Sequence, residues 1–193
     1  MRLIYIILSC CLLVFTGCND AQDNKQQSTP QSQTSRERVQ SKLSGEGTMA
    51  LMTAVSKYYA LKNAFVATKA PIVDSTAAQL VISAENLQTL LQKDTVNYTI
   101  LKPYIDTIAA QSKMITTIKD ESCEKQRLAF DVLSSAMYGL LKKVDIKNAG
   151  IYHTYCPMAF NDKGAYWLSD ESEIKNPYFG KKMLECGEVT DSL

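Results

Sequence analysis

The sequence predicts a mainly α-helical fold, an up-down four-helix bundle that carries a small C-terminal appendage of a β-hairpin and a short helix. Three observations support this prediction. Four segments between residues 49 and 144 repeat apolar side chains at helical spacing. The connections between these segments are short, which favours antiparallel neighbours in a bundle. From residue 148 onward the composition changes to tyrosine-rich, β-prone runs that are separated by turn residues.

The N-terminal segment is typical of a bacterial lipoprotein signal peptide. An uncharged run extends from Leu3 to Phe15, which is shorter than the roughly 20 residues that a membrane-spanning helix needs. Thr16 and Gly17 precede Cys18 in an arrangement that resembles a lipobox. This resemblance implies that residues 1–17 are removed and that Cys18 is lipidated, which anchors the chain without spanning the membrane. The alternative is an ordinary signal peptide followed by a chance cysteine.

Residues 18–47 are predicted to be a flexible tether. They are rich in Gln, Ser, Thr, Asn and charged residues and cannot bury enough apolar surface to offset the entropy of ordering. Signal and tether together predict a location in the cell envelope of a Gram-negative bacterium, at a membrane and facing the periplasm or the cell surface. Removal of Arg2 leaves 21 − 1 = 20 basic residues against 20 acidic ones, so the basic bias of a nucleic-acid binder is missing.

The folded domain is predicted to span residues 48–193, with the helices over residues 48–147. The first helix is expected over residues 49–70 and to end at Pro71, because proline cannot continue a helix. The second is expected over residues 74–93, with Asp74 as its N-cap.

The third and fourth helices are predicted over residues 100–119 and 120–144. Pro103 is expected in the first turn of the third helix, where its missing N–H has no helical partner. Acidic residues at the start of the fourth helix and lysines at its end match the helix dipole. Cys123, near that start, is expected to be a lone thiol or a small core residue.

The appendage is predicted over residues 148–193. The runs "IYHTYCPMAF" and "AYWLS" indicate two strands joined by a turn at residues 161–164. The following stretch "SDESEIKNPYFGKKMLECG" indicates a capped helical turn, an Asn-Pro turn and a short helix that ends at Gly187.

Soft-metal ligands are concentrated in this appendage. Cys156 and Met158 flank Pro157, and a residue before proline is extended, so the two sulfurs face the same side. Met183 and Cys186 are three residues apart, which places them on one face of a helix. Thiolate and thioether sulfur suit Cu(I), and the two pairs form a three- or four-sulfur site if they converge in space.

The residues alone leave a second interpretation of these sulfurs open. Two thiols outside the cytoplasm readily form a disulfide. A Cys156–Cys186 bridge would close a loop of about 30 residues and stabilise the fold by about 3–4 kcal/mol in the chain-entropy model. The methionines would then be core filler. His153, the only histidine, ranks below the sulfurs as a metal ligand because on a strand it faces away from Cys156.

Catalytic signatures are missing from the sequence. The Cys–His pair of the appendage has no obvious Asn or Asp to orient it. GxSxG, HExxH and P-loop motifs do not occur. We therefore expect a protein that is not an enzyme.

The appendage motifs resemble the DUF3347 family. These are helical domains of envelope proteins, found as lipoproteins and at the C-terminus of periplasmic adaptor subunits of heavy-metal efflux pumps. The pattern CPMA, N-x-x-G-x-x-WLS, I-x-NPYFG and ML-x-CG is met between Cys156 and Gly187. The earlier segments "YYALKNAFVA" and "QRLAFDVLSSAM" are also similar, so the resemblance covers about residues 49–189. It implies an association with resistance to copper or related metals and favours the methionines as ligands.

Two functional expectations follow. The first is a lipid-anchored protein that binds Cu(I), or Ag(I), for sequestration or hand-over to a heavy-metal efflux system. Its ligands would be Cys156, Met158, Met183 and Cys186, with His153 as an additional ligand. The second is a structural or protein-interaction module without a cofactor, held by a Cys156–Cys186 disulfide, with the NPYFG segment as a docking surface or core element.

Overall fold

The structure is a computed structural model that describes residues 38–193, which form one compact unit. The predicted signal peptide, the predicted lipidation site Cys18 and most of the predicted tether lie outside the described residues. Within residues 38–193, no helix combines the length and the apolar character that a membrane crossing requires.

Four long helices follow one another within the described part of the chain, and a small antiparallel sheet comes after them. The helices are Gly45–Ala67 (α1), Ala70–Leu91 (α2), Thr95–Thr117 (α3) and Glu124–Lys143 (α4). Each helix packs against the next one along the chain. The mainly helical fold that apolar periodicity predicts is therefore confirmed.

The residues just before α1 pack onto the domain. Gln40 and Lys147 exchange two backbone hydrogen bonds of 3.1 and 2.9 Å. Leu43 is only 8% exposed. Ser44 caps α1, and its side chain accepts a hydrogen bond from the Gly47 N–H at 3.0 Å. A chain that begins at residue 38 keeps all of these contacts.

The predicted start of α2 is wrong. α1 ends before Thr68, which adopts the left-handed conformation with φ 52°. α2 then begins at Ala70, with Pro71 inside its first turn rather than ending the preceding helix. Proline fits there because the first N–H groups of a helix have no helical acceptor. The predicted cap residue Asp74 lies inside α2 as a consequence.

The predicted start of α3 is also wrong. The Asp94 side chain caps this helix and accepts a hydrogen bond from the Asn97 N–H at 3.2 Å. Pro103 therefore lies in the interior of α3 and not in its first turn. In α4 the predicted dipole pattern is present, with Glu124 in the first turn and two lysines in the last.

The C-terminal residues form a three-stranded antiparallel sheet in the order β2-β1-β3. Its strands are Tyr152–Cys156 (β1), Ala165–Ser169 (β2) and Glu188–Ser192 (β3). β1 and β2 are the two strands that the sequence predicts, and they pair antiparallel with Cys156 opposite Ala165. β3, which pairs with the other edge of β1, is not predicted from the sequence.

The predicted short helix before Gly187 is wrong. Only a 3-10 helix over Gly180–Lys182 is present, and the chain then turns and enters β3. The predicted helical turn after Ser169 is a series of bends instead. Glycines with positive φ at 180 and 187 interrupt any regular helix in this segment.

Aromatic side chains of α1 and α4 form the centre of the core. The rings of Tyr58 and Phe65 contact Phe130, with centroids 5.3 and 4.8 Å apart. The buried Tyr58 hydroxyl hydrogen bonds with Ser134 at 2.8 Å and accepts from the Leu168 N–H at 3.1 Å. Since Leu168 lies in β2, this hydroxyl fastens the sheet to the helices.

The connection between β1 and β2 contains a short turn, Ala159–Asp162 (α5), of unusual backbone conformation. Phe160, Asn161 and Asp162 all have positive φ, at 53°, 57° and 62°. The left-handed conformation costs about 1–2 kcal/mol per residue, and Asn and Asp tolerate it best. Phe160 is therefore the most strained of the three. Its ring packs edge-on against Tyr178, with centroids 5.3 Å apart.

Candidate metal centre at a cysteine pair

The sheet brings the two appendage cysteines together. Cys156 ends β1, and Cys186 lies just before β3, which pairs with β1 at that end. Their sulfur atoms are 2.7 Å apart, and both residues are free cysteines. Cys156 is fully buried, whereas Cys186 is partly exposed. The structure thus brings together the one cysteine of each predicted sulfur pair.

Asn176 holds the loop that carries Cys186. Its fully buried side chain donates from Nδ2 to the Cys186 carbonyl at 2.7 Å. Its Oδ1 accepts from the N–H groups of Tyr178 and Phe179, at 2.7 and 3.3 Å, and its own N–H donates to the Leu184 carbonyl at 2.8 Å. This positioning role was not predicted from the sequence. The only available signal was an asparagine directly before a proline, which marks a turn.

Gly187 allows the chain to pass close to the hairpin. Its φ is +147°, and a Cβ atom there would lie 2.7 Å from a ring carbon of Trp167 and 2.8 Å from the Tyr155 carbonyl oxygen. Any side chain would push the loop away from β1. The close contact between the two sulfurs therefore depends on glycine at this position.

The Cys186 thiol is protonated at neutral pH. Burial raises its pKa to about 11, and the neighbouring Cys156 thiol adds to the rise. The backbone N–H of Met158 hydrogen bonds with the Cys186 sulfur and lowers the pKa, because it stabilises the thiolate. A metal ion that binds this sulfur must displace its proton, so metal affinity is expected to fall at low pH.

The two predicted methionine ligands lie on the wall of one groove, and neither cysteine is part of its lining. We call this cavity of about 910 Å³ the appendage groove; it is lined by parts of the start of α4, the α5 turn and residues 178–183. Met158 and Met183 both line it. β1 ends at Cys156 and Met158 has helical backbone angles in the following turn, so the prediction that the two sulfurs face the same side of an extended chain is wrong. Met183 follows the 3-10 helix, so the prediction that it shares a helical face with Cys186 is wrong. The Cys186 N–H instead donates to the Met183 carbonyl at 3.3 Å.

The structure does not bring His153 to the cysteine pair. Its ring stacks between Tyr138 and Tyr166, with centroids 3.7 and 4.7 Å away and nearly parallel planes. Its Nδ1 hydrogen bonds with the Thr190 hydroxyl at 3.1 Å. Strand alternation places it on the face of β1 opposite Cys156, and burial lowers its pKa. We therefore leave His153 out of the proposed site.

The sulfur separation lies between the values that a disulfide and a metal require. A disulfide bond is about 2.05 Å long. Two sulfurs bound at about 2.3 Å to one tetrahedral metal lie about 3.8 Å apart. From 2.7 Å, the pair closes by about 0.7 Å in the first case and opens by about 1.1 Å in the second. The separation is therefore closer to that of a disulfide than to that of two sulfurs on one metal ion.

The chemistry of the available donors fits a soft metal ion. Within residues 38–193, no group of three or more His, Cys, Asp and Glu side chains is placed to hold a metal ion. A metal at the cysteine pair would therefore be held by two thiolates, and the thioethers of Met158 and Met183 on the adjoining chain segments would be the available additional donors. Sulfur of both kinds is the ligand type that suits Cu(I).

Residues 54–149 match the model of one protein family, described as "Protein of unknown function (DUF3347)". The chain belongs to the DUF3347 family. The DUF3347 match covers most of α1 and all of α2, α3 and α4. It ends before β1. The family prediction is confirmed, whereas the resemblance of the segment from Cys156 to Gly187 lies beyond the matched residues. No curated protein and no solved structure matches the chain.

Two further cysteines take no part in the described site of this DUF3347 protein. Cys123 precedes α4, is fully buried and belongs to the hydrophobic core, which is one of the two roles predicted for it. Burial raises the pKa of its thiol. Cys18 lies outside the described residues, so its lipidation stays a prediction.

Proposed function

We propose that this DUF3347 protein is a metal-binding lipoprotein of the cell envelope that holds Cu(I), or the similar ion Ag(I), between Cys156 and Cys186. The observation that carries the proposal is the 2.7 Å approach of the two sulfurs next to a groove that contains two methionines. Thiolates bind soft monovalent ions, and thioethers add donor atoms without adding charge. The protein would sequester copper or hand it to a heavy-metal efflux system.

The two cysteines would have different roles in this site. Cys156 is buried at the end of a paired strand, so its sulfur is the fixed ligand. Cys186 is partly exposed on a loop, so its sulfur is the one that moves, loses a proton and admits the ion. Met158, which follows Cys156 by two residues, would supply a thioether donor.

The proposal includes the parts of the protein that carry the site. Lipidated Cys18 would anchor the chain, the part of residues 18–47 that precedes Gln40 would serve as the tether, and the four helices would form an up-down bundle beneath the sheet. The role requires no catalytic step, and its partners are the membrane and the efflux system. Loss of labelled palmitate incorporation in a Cys18→Ser chain is the expected sign of the anchor. Unchanged incorporation would contradict it.

A competition titration tests the metal site. Reduced residues 38–193 are titrated anaerobically with Cu(I) against a chromophoric chelator, and one tight site is expected. Cys156→Ser and Cys186→Ser should each abolish it, while Met158→Leu should weaken it. Met114→Leu is the matched control, since Met114 is 49% exposed and Met158 is 48% exposed. Equal binding by the cysteine variants would overturn the proposal.

The same sulfur distance favours a second candidate, a protein-interaction module closed by a disulfide. The 2.7 Å separation needs the smaller shift to become a covalent bond. In that case both cysteines would resist alkylation until a reductant is added. In the copper protein they would react as soon as the metal is removed by a chelator.

A further inference from the structure

The appendage groove has features that the metal site does not use. Its volume of about 910 Å³ lies in the range of roughly 300–1,000 Å³ typical of small-molecule sites. Leu128, Phe160 and Phe179 contribute apolar surface to its lining. Leu128 is 58% exposed, although other apolar residues of the same helix, α4, are buried in the core. The groove therefore offers apolar area to a ligand.

A buried guanidinium without a counter-ion lies at the same groove. Arg127 is 5% exposed and lines the cavity. It donates to the carbonyls of Pro177 (2.7 Å), Ser122 (2.7 Å) and Phe65 (3.1 Å) and to the Thr68 hydroxyl (2.9 Å). These acceptors are neutral and use four of its five N–H donors. Buried charges are normally paired, but within the described residues no carboxylate forms an ion pair with Arg127, and Glu124 and Asp120 act on it only from a longer distance.

Exposed lysines add to the positive charge of the groove. Lys125 and Lys181 line it and form no ion pair with any described residue. Lys182 lies 3.6 Å from Glu124, and Asp162 is the only other carboxylate of the lining. The lining thus contains four basic side chains, three lysines and the buried arginine, and two carboxylates. The excess of positive charge favours an anion.

The wall opposite α4 is held in a strained conformation. The left-handed residues of the α5 turn all line the groove, and Phe160 has no side-chain reason to adopt positive φ. Strain of this kind persists only where the surroundings fix it, and it is common at ligand sites. Here it presents the Phe160 ring to the cavity edge, beside Tyr178.

We propose that the appendage groove binds a small amphiphilic carboxylate, with its acid group toward Arg127, Lys125 and Lys181 and its apolar body against Leu128 and Phe160. A carboxylate would supply the negative charge that the neutral acceptors of Arg127 lack and could accept a hydrogen bond from its one remaining N–H, and charge-assisted hydrogen bonds are the stronger kind. The apolar share of the lining distinguishes this ligand from a free inorganic anion. The site does not depend on whether Cys156 and Cys186 bind a metal.

Calorimetric titration of residues 38–193 with dodecanoate, kept below its micelle concentration, tests this assignment. One saturable site is expected, with dodecyltrimethylammonium bound at least about tenfold more weakly because like charges repel. The double variant Lys125→Glu/Lys181→Glu should weaken dodecanoate binding by at least about tenfold for the same reason. Leu128→Gln should weaken it as well, since it removes exposed apolar area.

Controls separate this site from general charge and from the metal proposal. Lys113→Glu/Lys143→Glu changes the net charge equally at exposed positions outside the groove and should bind dodecanoate normally. Cys156→Ser/Cys186→Ser should also bind it normally, so failure of the metal site leaves this result intact. Equal binding by the Lys125→Glu/Lys181→Glu chain would overturn the proposal. Binding of an acidic peptide but not of dodecanoate would overturn it too.

Discussion

Replacement of Arg127 by methionine is expected to destabilise the whole fold, because this residue ties three separate segments together. Its guanidinium donates to Pro177 before the 3-10 helix, to Ser122 before α4, and to Phe65 and Thr68 at the end of α1. Methionine has a similar length and preserves most of the packing, so the variant removes the hydrogen bonds selectively.

The expected magnitude follows from the acceptors left behind. The Phe65 carbonyl keeps the Thr68 N–H at 3.0 Å. Ser122 is exposed, so water replaces the lost donor at its carbonyl. The Pro177 carbonyl is buried and accepts from no other described group, which costs about 1–3 kcal/mol. With the loss of the charge-assisted bonds, we expect the free energy of unfolding to fall by about 2–4 kcal/mol.

Urea unfolding of residues 38–193, followed by far-ultraviolet circular dichroism, measures this loss. Lys125→Met is the matched control, since Lys125 is exposed on the same helix and forms no ion pair. Its effect should stay within about 0.5 kcal/mol. A loss below about 1 kcal/mol in Arg127→Met, or one equal to the control, would refute the argument that this residue joins the segments.

Three further outcomes are expected. Gly187→Ala should cost about 2–3 kcal/mol in urea unfolding because its Cβ meets backbone and ring atoms, whereas Gly45→Ala, with open space, should be neutral or stabilising. Asn176→Ala should release the Cys186 loop and speed alkylation of the reduced thiol; an unchanged rate would contradict its positioning role. Burial lowers the pKa of His153, so the unfolded chain binds the proton more tightly, and stability should fall as the pH drops below about 6.5. His153→Phe keeps the aromatic stack and should lose that pH dependence in thermal unfolding; an identical pH profile would refute the assignment.

The sequence predicts the helical part of this fold well because apolar periodicity reports directly on burial. It misplaces the helix starts, which were predicted at residues 49, 74, 100 and 120 and lie at residues 45, 70, 95 and 124. For α2 the reason is that a proline fits both the end of one helix and the first turn of the next, as Pro71 shows. β3 has mostly exposed side chains at the edge of the sheet, so no apolar alternation marks it. The three-residue spacing of Met183 and Cys186 is compatible with a helix but does not require one. The segment forms a loop, which the contacts of Asn176 and the conformation of Gly187 stabilise.

The candidate site is only partly accessible to sequence reasoning. Soft ligand types identify Cys156 and Cys186, but their contact depends on the pairing of β1 with an unpredicted strand. The opposite orientation of His153 follows from strand alternation alone. Arg127 was missed because a charged residue in a helix is ordinarily assigned to the surface, and its burial becomes evident only from the three segments that surround it.

The state of the cysteine pair in the chain isolated from its native cells, without reductant or chelator, tests the central claim most directly. The chain is purified from cells grown with copper, and its intact mass and metal content are measured. One copper ion per chain is expected, with Cys156 and Cys186 alkylated only after the metal is removed. A chain without copper that is lighter by two hydrogen atoms, with both cysteines in one disulfide-linked peptide, would contradict the account.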